Sequence, residues 1–127
     1  MRWILENLRE DFNVDIAKMA KNLEKSNTKE VLQKAIADNL NYRVELFSFW
    51  NDNSDAVGVV FMVTHLAKFD WSLLEMTVYS KYGYKVSQVL LSFKTVDELF
   101  EWFQKKDTLK KCAQVLMELN DTLRHLD

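Results

Sequence analysis

Two carboxylates come closest to a reactive pattern in this chain: Asp70 and Glu75, in the stretch Asp70-Trp71-Ser72-Leu73-Leu74-Glu75-Met76-Thr77. A carboxylate at the start of a strand and a second inside it can share a divalent metal, which activates water for phosphodiester cleavage. A metal-dependent nuclease of this kind needs lysine two residues after the glutamate, to stabilise the attacking water or the leaving charge. Thr77 stands there, and Lys81 lies four residues further on, near a turn. The competing reading is a turn aspartate and a solvent-facing strand glutamate, and the missing lysine favours it.

Other reactive side chains are isolated. His65 ends an apolar run and could serve as acid, base or ligand; a strand-end histidine bonded to backbone is the simpler reading. His125 sits near the chain end on the polar side of a helix. Cys112 falls in an apolar helix stripe, where cysteine behaves as a small hydrophobe. One cysteine and two distant histidines make no metal-ligand spacing and no intramolecular disulfide. The only glycines, Gly58 and Gly83, are 25 residues apart, so no glycine-rich loop can cradle phosphate. We expect no cofactor, no metal and no catalysis.

The stronger signals are for binding. Tyr79-Ser80-Lys81-Tyr82-Gly83-Tyr84-Lys85 interleaves aromatics with lysines across a tight turn. Exposed tyrosine beside lysine suits a protein interface, where tyrosine is enriched, or unpaired bases. Only two lysines lie here and the charge of the surrounding region, 41–94, is neutral, so the protein reading is favoured and nucleic acid is not expected. Trp50 and Trp71 flank loops, where either can anchor an interface. The candidate partner surface is Trp50, Asp52, Asp55, Tyr82, Tyr84 and Lys85. A second candidate is the last helix, where Leu109, Cys112, Leu116, Leu119, Leu123 and Leu126 recur at spacings of 3 and 4. Leu109, Leu116, Leu119 and Leu123 are a possible homodimer seam of coiled-coil type; an amphipathic helix packed on a sheet fits the same leucines.

The elements that hold these residues follow from hydrophobic period. Apolar residues recur at helical spacing over 3–12 and 14–25. Asn27 with Glu30 has the pattern of a capping box opening a third helix. From Tyr42 the period changes to 2: Tyr42, Val44, Leu46, Ser48 and Trp50 alternate with Arg43, Glu45, Phe47 and Phe49. The polar loop 51–55 leads to a β-branched run, Val57 to Leu66, that reads as a central strand. Ala67 to Trp71 turns the chain, and strands follow over 73–79 and 86–93. Thr95 with Glu98 caps one further helix, and Asp107 or Thr108 caps the last. Three helices, four strands in an antiparallel meander and two C-terminal helices make one α+β domain over residues 1–127.

Three of these strands are apolar on both faces. If all helices lie on one face, the other needs a partner or a second copy.

Composition narrows the class. Of 127 residues, 48% are hydrophobic, 13% aromatic and 28% charged, which excludes intrinsic disorder. Residues 1–40 and 41–94 each balance to zero charge, and 95–127 carry the net −2. No region has the basic excess of a duplex-DNA or membrane-surface binder. The start, Met1-Arg2-Trp3-Ile4-Leu5-Glu6, reads as lacking a signal-peptide core, and the single cysteine suits a reducing compartment. The expectation is a small cytoplasmic, non-enzymatic protein-binding module of bacterial or phage origin: an inhibitor, immunity-type, anti-defence or adaptor protein.

Overall fold

The computed structural model describes residues 27–50 and 56–126. The helices expected over 3–12 and 14–25, and the loop 51–55 with Asp52 and Asp55, lie outside the described residues. The described chain runs α1 (Thr28–Ala37), β1 (Tyr42–Trp50), β2 (Ala56–Leu66), a 3-10 turn (Ala67–Phe69), β3 (Trp71–Ser80), β4 (Lys85–Phe93), α2 (Val96–Gln104) and α3 (Thr108–Leu126). All neighbouring strands pair antiparallel, in the order β1-β2-β3-β4. The change of period at Tyr42 thus marks a real change from helix to meander, and the fold is α+β.

Directly paired residues share a sheet face. One face carries Val59, Phe61 and Val63 of β2 and Leu74, Met76 and Val78 of β3. These join Leu32 of α1, Leu99 and Phe103 of α2, and Cys112, Leu116, Leu119 and Leu123 of α3 in a single core. Phe61, Val63, Leu74 and Met76 lose all solvent exposure. Each such burial stabilises the fold by about 1.5–3 kcal/mol. Every described helix joins the core on this side. The other, open face buries Val60 and Thr77, half-buries Met62, Leu73 and Tyr79, and exposes Trp50, Trp71 and Val89, among polar residues such as Arg43, Glu45 and Glu75.

β1 departs from strict alternation. Val44 pairs with Val63, but Phe47 pairs with Phe61 and Phe49 with Val59, because the register shifts between Glu45 and Phe47. Leu46 is the extra residue of a bulge, which inverts the pattern beyond it. Phe47 and Phe49 therefore join Tyr42 and Val44 on the core side, not Arg43 and Glu45. Ser48 and Trp50 swing to the open face. A matching shift in β4, between the partners of Leu74 and Glu75, makes Leu90 the extra residue there. Leu90 is buried, and its carbonyl accepts a 3.0 Å hydrogen bond from Lys111 Nζ.

The helix starts divide. Thr95 opens α2 with a complete capping box: its hydroxyl accepts from the Glu98 N–H, and the Glu98 carboxylate accepts from the Thr95 N–H. Asn27 makes no side-chain cap on α1, contrary to the reading of its spacing with Glu30. Its backbone is near-helical (φ −77°, ψ 3°), whereas a capping residue needs extended dihedrals to turn its side chain onto the first turn. The Thr108 hydroxyl at the start of α3 donates to the Trp102 carbonyl and ties α3 to α2. α3 buries Cys112, Ala113, Val115, Leu116, Leu119, Asn120 and Leu123. That arc is wider than a coiled-coil seam and is the stripe of a helix lying on a sheet. No helix among the described residues is long and apolar enough to cross a membrane.

Candidate functional site

Trp50, Gly58, Tyr79 and Lys85 lie in one row across the open face, joined by cross-strand pairing at one end of the sheet. The Trp50 indole lies over Gly58: a Cβ added there would stand 2.4 Å from Trp50 Cζ3 and 2.5 Å from Cε3. Glycine is required so that the ring can lie across the strand. The indole then packs against Tyr79, with ring centroids 5.7 Å apart and planes inclined by 35°, a geometry in the attractive range. Trp50 is nevertheless 57% exposed.

The β3–β4 turn adds two tyrosines. The Ser80 N–H donates to the Tyr84 carbonyl at 2.8 Å, and the Gly83 N–H to the Ser80 carbonyl at 3.3 Å. The buried Ser80 hydroxyl accepts from the N–H groups of Tyr82 and Tyr84. Gly83 supplies the positive φ of 89° that closes the turn. With its backbone bonded inwardly, the turn projects Tyr82, 62% exposed, and Tyr84 into solvent. Lys81 Nζ lies 5.1 Å from the centre of the Tyr82 ring. The structure thus gathers Trp50, Tyr82, Tyr84 and Lys85 at one end of the sheet. Tyr79 and Gly58, which support Trp50, belong with them. Period alone marks both as strand residues; their role appears only once the bulge places Trp50 above them.

The remaining candidates separate. Asp70 is exposed on the turn before β3, with φ of 48°. Glu75 lies in mid-strand on the open face, opposite Met62 and Val89. Five residues of strand put them about 17 Å apart, and no group of three metal-ligating side chains occurs among the described residues. Burial pushes the Cys112 thiol up to about 12, against the smaller opposing effect of Lys111, so the nucleophilic thiolate is disfavoured. Leu116, Leu119 and Leu123 of the expected seam are buried in the chain's own core, while the side chain of Leu109 lies outside the description.

His65 is buried and bonds to side chains instead of backbone. Its Nδ1 lies 2.7 Å from Ser72 Oγ, and its Nε2 lies 3.0 Å from Asn39 Oδ1. Asn39 Nδ2 donates to the Ala67 carbonyl, so Oδ1 is free to accept. Nε2 therefore donates to Asn39 Oδ1, and Nδ1 shares a hydrogen bond with the Ser72 hydroxyl. A hydroxyl–imidazole–amide chain has the makings of an activated nucleophile, yet Ser72 is wholly buried and reaches no substrate. The chain instead ties the start of β1 to the β2–β3 connection. Asn41 Oδ1 reinforces the tie by accepting the Ala67 N–H at 2.9 Å. Compared with known proteins, the chain matches no family model, no curated protein and no solved structure.

Proposed function

We propose that this chain is a small non-enzymatic protein-binding module that docks through the turn end of its sheet. The observation that carries this reading is the Trp50 indole, held flat over Gly58 against Tyr79 while more than half exposed. A large, oriented, solvent-facing aromatic is the usual anchor of an interface. Tyr82 and Tyr84, on a turn whose backbone is internally bonded, add contact area at little entropic cost. An inhibitor, immunity-type, anti-defence or adaptor role in a bacterial or phage-infected cytoplasm fits such a surface on so small a domain.

The test is affinity capture from the host with the intact chain, followed by direct binding measurements on the captured protein. Trp50→Ala, and Tyr82→Ala with Tyr84→Ala, should each weaken binding by about 30-fold, the equivalent of a 2 kcal/mol anchor. Undiminished binding by both variants would overturn the assignment.

A further inference from the structure

The open face of the sheet is not open throughout. Every described helix joins the core on the opposite side, yet Val60 is 3% and Thr77 7% exposed, within the range of the core itself. Their cross-strand neighbours are short: Ser48 beside Val60, and Ser87 beside Thr77. The Thr77 and Ser87 hydroxyls bond each other at 2.7 Å, so apolar side chains can cover this row without stranding either. Along the same two strands Met62, Thr64, Leu73, Glu75 and Tyr79 are half-buried. Exposure returns on the flanks, at Glu45 and Trp50 of β1 and at Ser87 and Val89 of β4. The sheltered strip is two strands wide, about 10 Å, the diameter of one helix with its side chains. We infer that this strip is the dock of the chain's own N-terminal segment, residues 3–25.

Pattern is the first ground. Ile4, Leu5, Leu8 and Phe12 recur on one side of the stretch 3–12, and Ile16, Met19, Ala20 and Leu23 on one side of 14–25. An amphipathic helix of this length gains its stability by burying such a stripe, and the strip along β2 and β3 is a surface of matching width and polarity.

Reach and attachment are the second. The segment joins the described chain at α1, whose Lys29 Nζ lies 3.9 Å from Asp97 Oδ1 in the first turn of α2. That turn follows Lys94, whose Nζ lies 5.6 Å from the ring centre of Trp71, at a corner of the open face. Helices over 3–12 and 14–25 would span about 15 Å and 18 Å. One can pass round the end of the sheet, between layers about 20 Å apart, and leave the other to lie on the strip. A segment tethered so closely acts at an effective concentration near millimolar, which favours it over a second copy in dilute solution. Charge does not oppose the pairing. The open face holds Arg43, Glu45, Glu75 and Lys85, and residues 1–26 hold five basic and five acidic side chains, so each sums to zero.

Thiol accessibility in the full chain tests the dock. Val60→Cys places a thiol beneath the proposed cover, Ser87→Cys places one on the exposed flank, and native Cys112, wholly buried in the core, reports unfolding. Alkylation by iodoacetamide is followed site by site by mass spectrometry. We expect the thiol at position 60 to react at least about 30-fold more slowly than the thiol at 87, and to approach its rate when Ile4→Glu with Leu8→Glu lifts the segment while Cys112 stays unreactive. If that variant unfolds, Leu8→Ala with Phe12→Ala is the milder probe and should raise the rate at 60 about tenfold.

Equal rates at 60 and 87 in the parent chain would mean that nothing covers the strip, and overturn the inference. So would a slow rate at 60 that neither N-terminal variant raises, which gives the shelter to the sheet's own side chains. A rate at 60 that rises on dilution, with self-association in sedimentation, would assign the face to a second copy. Reaction of Cys112 in both variants would place the segment in the core instead, which also overturns the dock. The assay contains no partner protein, so its outcome is independent of the Trp50 surface.

Discussion

Gly58→Ala tests the link between a strand glycine and an exposed tryptophan. The new methyl would sit 2.4 Å from the Trp50 ring, so the indole must leave its place. Two costs follow: the Trp50–Tyr79 ring pair is lost, about 0.5–1.5 kcal/mol, and the displaced side chain takes a poorer rotamer, about 0.5–1.5 kcal/mol. One gain opposes them. Gly58 does not use the positive-φ region, so alanine restricts the unfolded chain and returns about 0.4–1 kcal/mol. The net effect in the wild-type background is between about zero and 2.5 kcal/mol destabilising. In a Trp50→Ala background only the gain remains. The two substitutions should therefore couple by about 1–3 kcal/mol, measured as a double-mutant cycle of urea unfolding curves followed by circular dichroism. If Gly58→Ala changes stability equally with and without the indole, the account of Gly58 as the seat of Trp50 is wrong.

Three further outcomes follow from single groups. The backbone N–H groups of Lys94, first, and of Thr95 hold the Glu98 carboxyl below its ordinary value of 4.5. A depressed pKa means that its contribution is present above the ordinary value and lost as pH falls through the folded one; Glu98→Gln should flatten that acid limb of stability in pH titrations followed by circular dichroism. The raised Cys112 pKa has the opposite sign: the unfolded chain loses the thiol proton first, so stability falls as pH rises from about 9 toward about 12. Cys112→Ala should remove that alkaline slope, and the native thiol should resist iodoacetamide at pH 8 until denaturant is added. Asn120 is buried on α3 with neither side-chain polar atom hydrogen-bonded; Asn120→Leu should raise stability by about 1–3 kcal/mol in urea unfolding, and lower stability would show that the amide has a role.

What the chain's pattern made legible depended on how local the cause was. The Thr95–Glu98 box is satisfied within four residues, so spacing alone found it. Asn27 and Glu30 have the same spacing, yet backbone dihedrals decide the cap, and those depend on how the chain enters the helix. The strands and their order were readable because meander pairing is sequential. The bulge at Leu46 was not, since nothing in an alternating run marks which residue will be left unpaired; Phe61 and Val59 across the sheet decide it. That one residue moved Phe47, Phe49 and Trp50 between faces. The aromatic turn was visible as Tyr82-Gly83-Tyr84. The spacing in α3 suited both a seam and a packed stripe, and only the buried arc separates them.

The two bulges have a bearing on what happens when many copies meet. β1 and β4 are the outer strands of the four, and a straight outer strand of nine residues rich in Val, Leu and Phe is a template for fibril growth. Each of these strands is broken near its middle, at Leu46 and at Leu90, so no long run of regularly spaced amide groups faces a newcomer. The Lys111 ammonium also occupies the Leu90 carbonyl, placing a charge where an incoming strand would bond. With both outer strands interrupted in this way, side-to-side pairing of many copies is disfavoured.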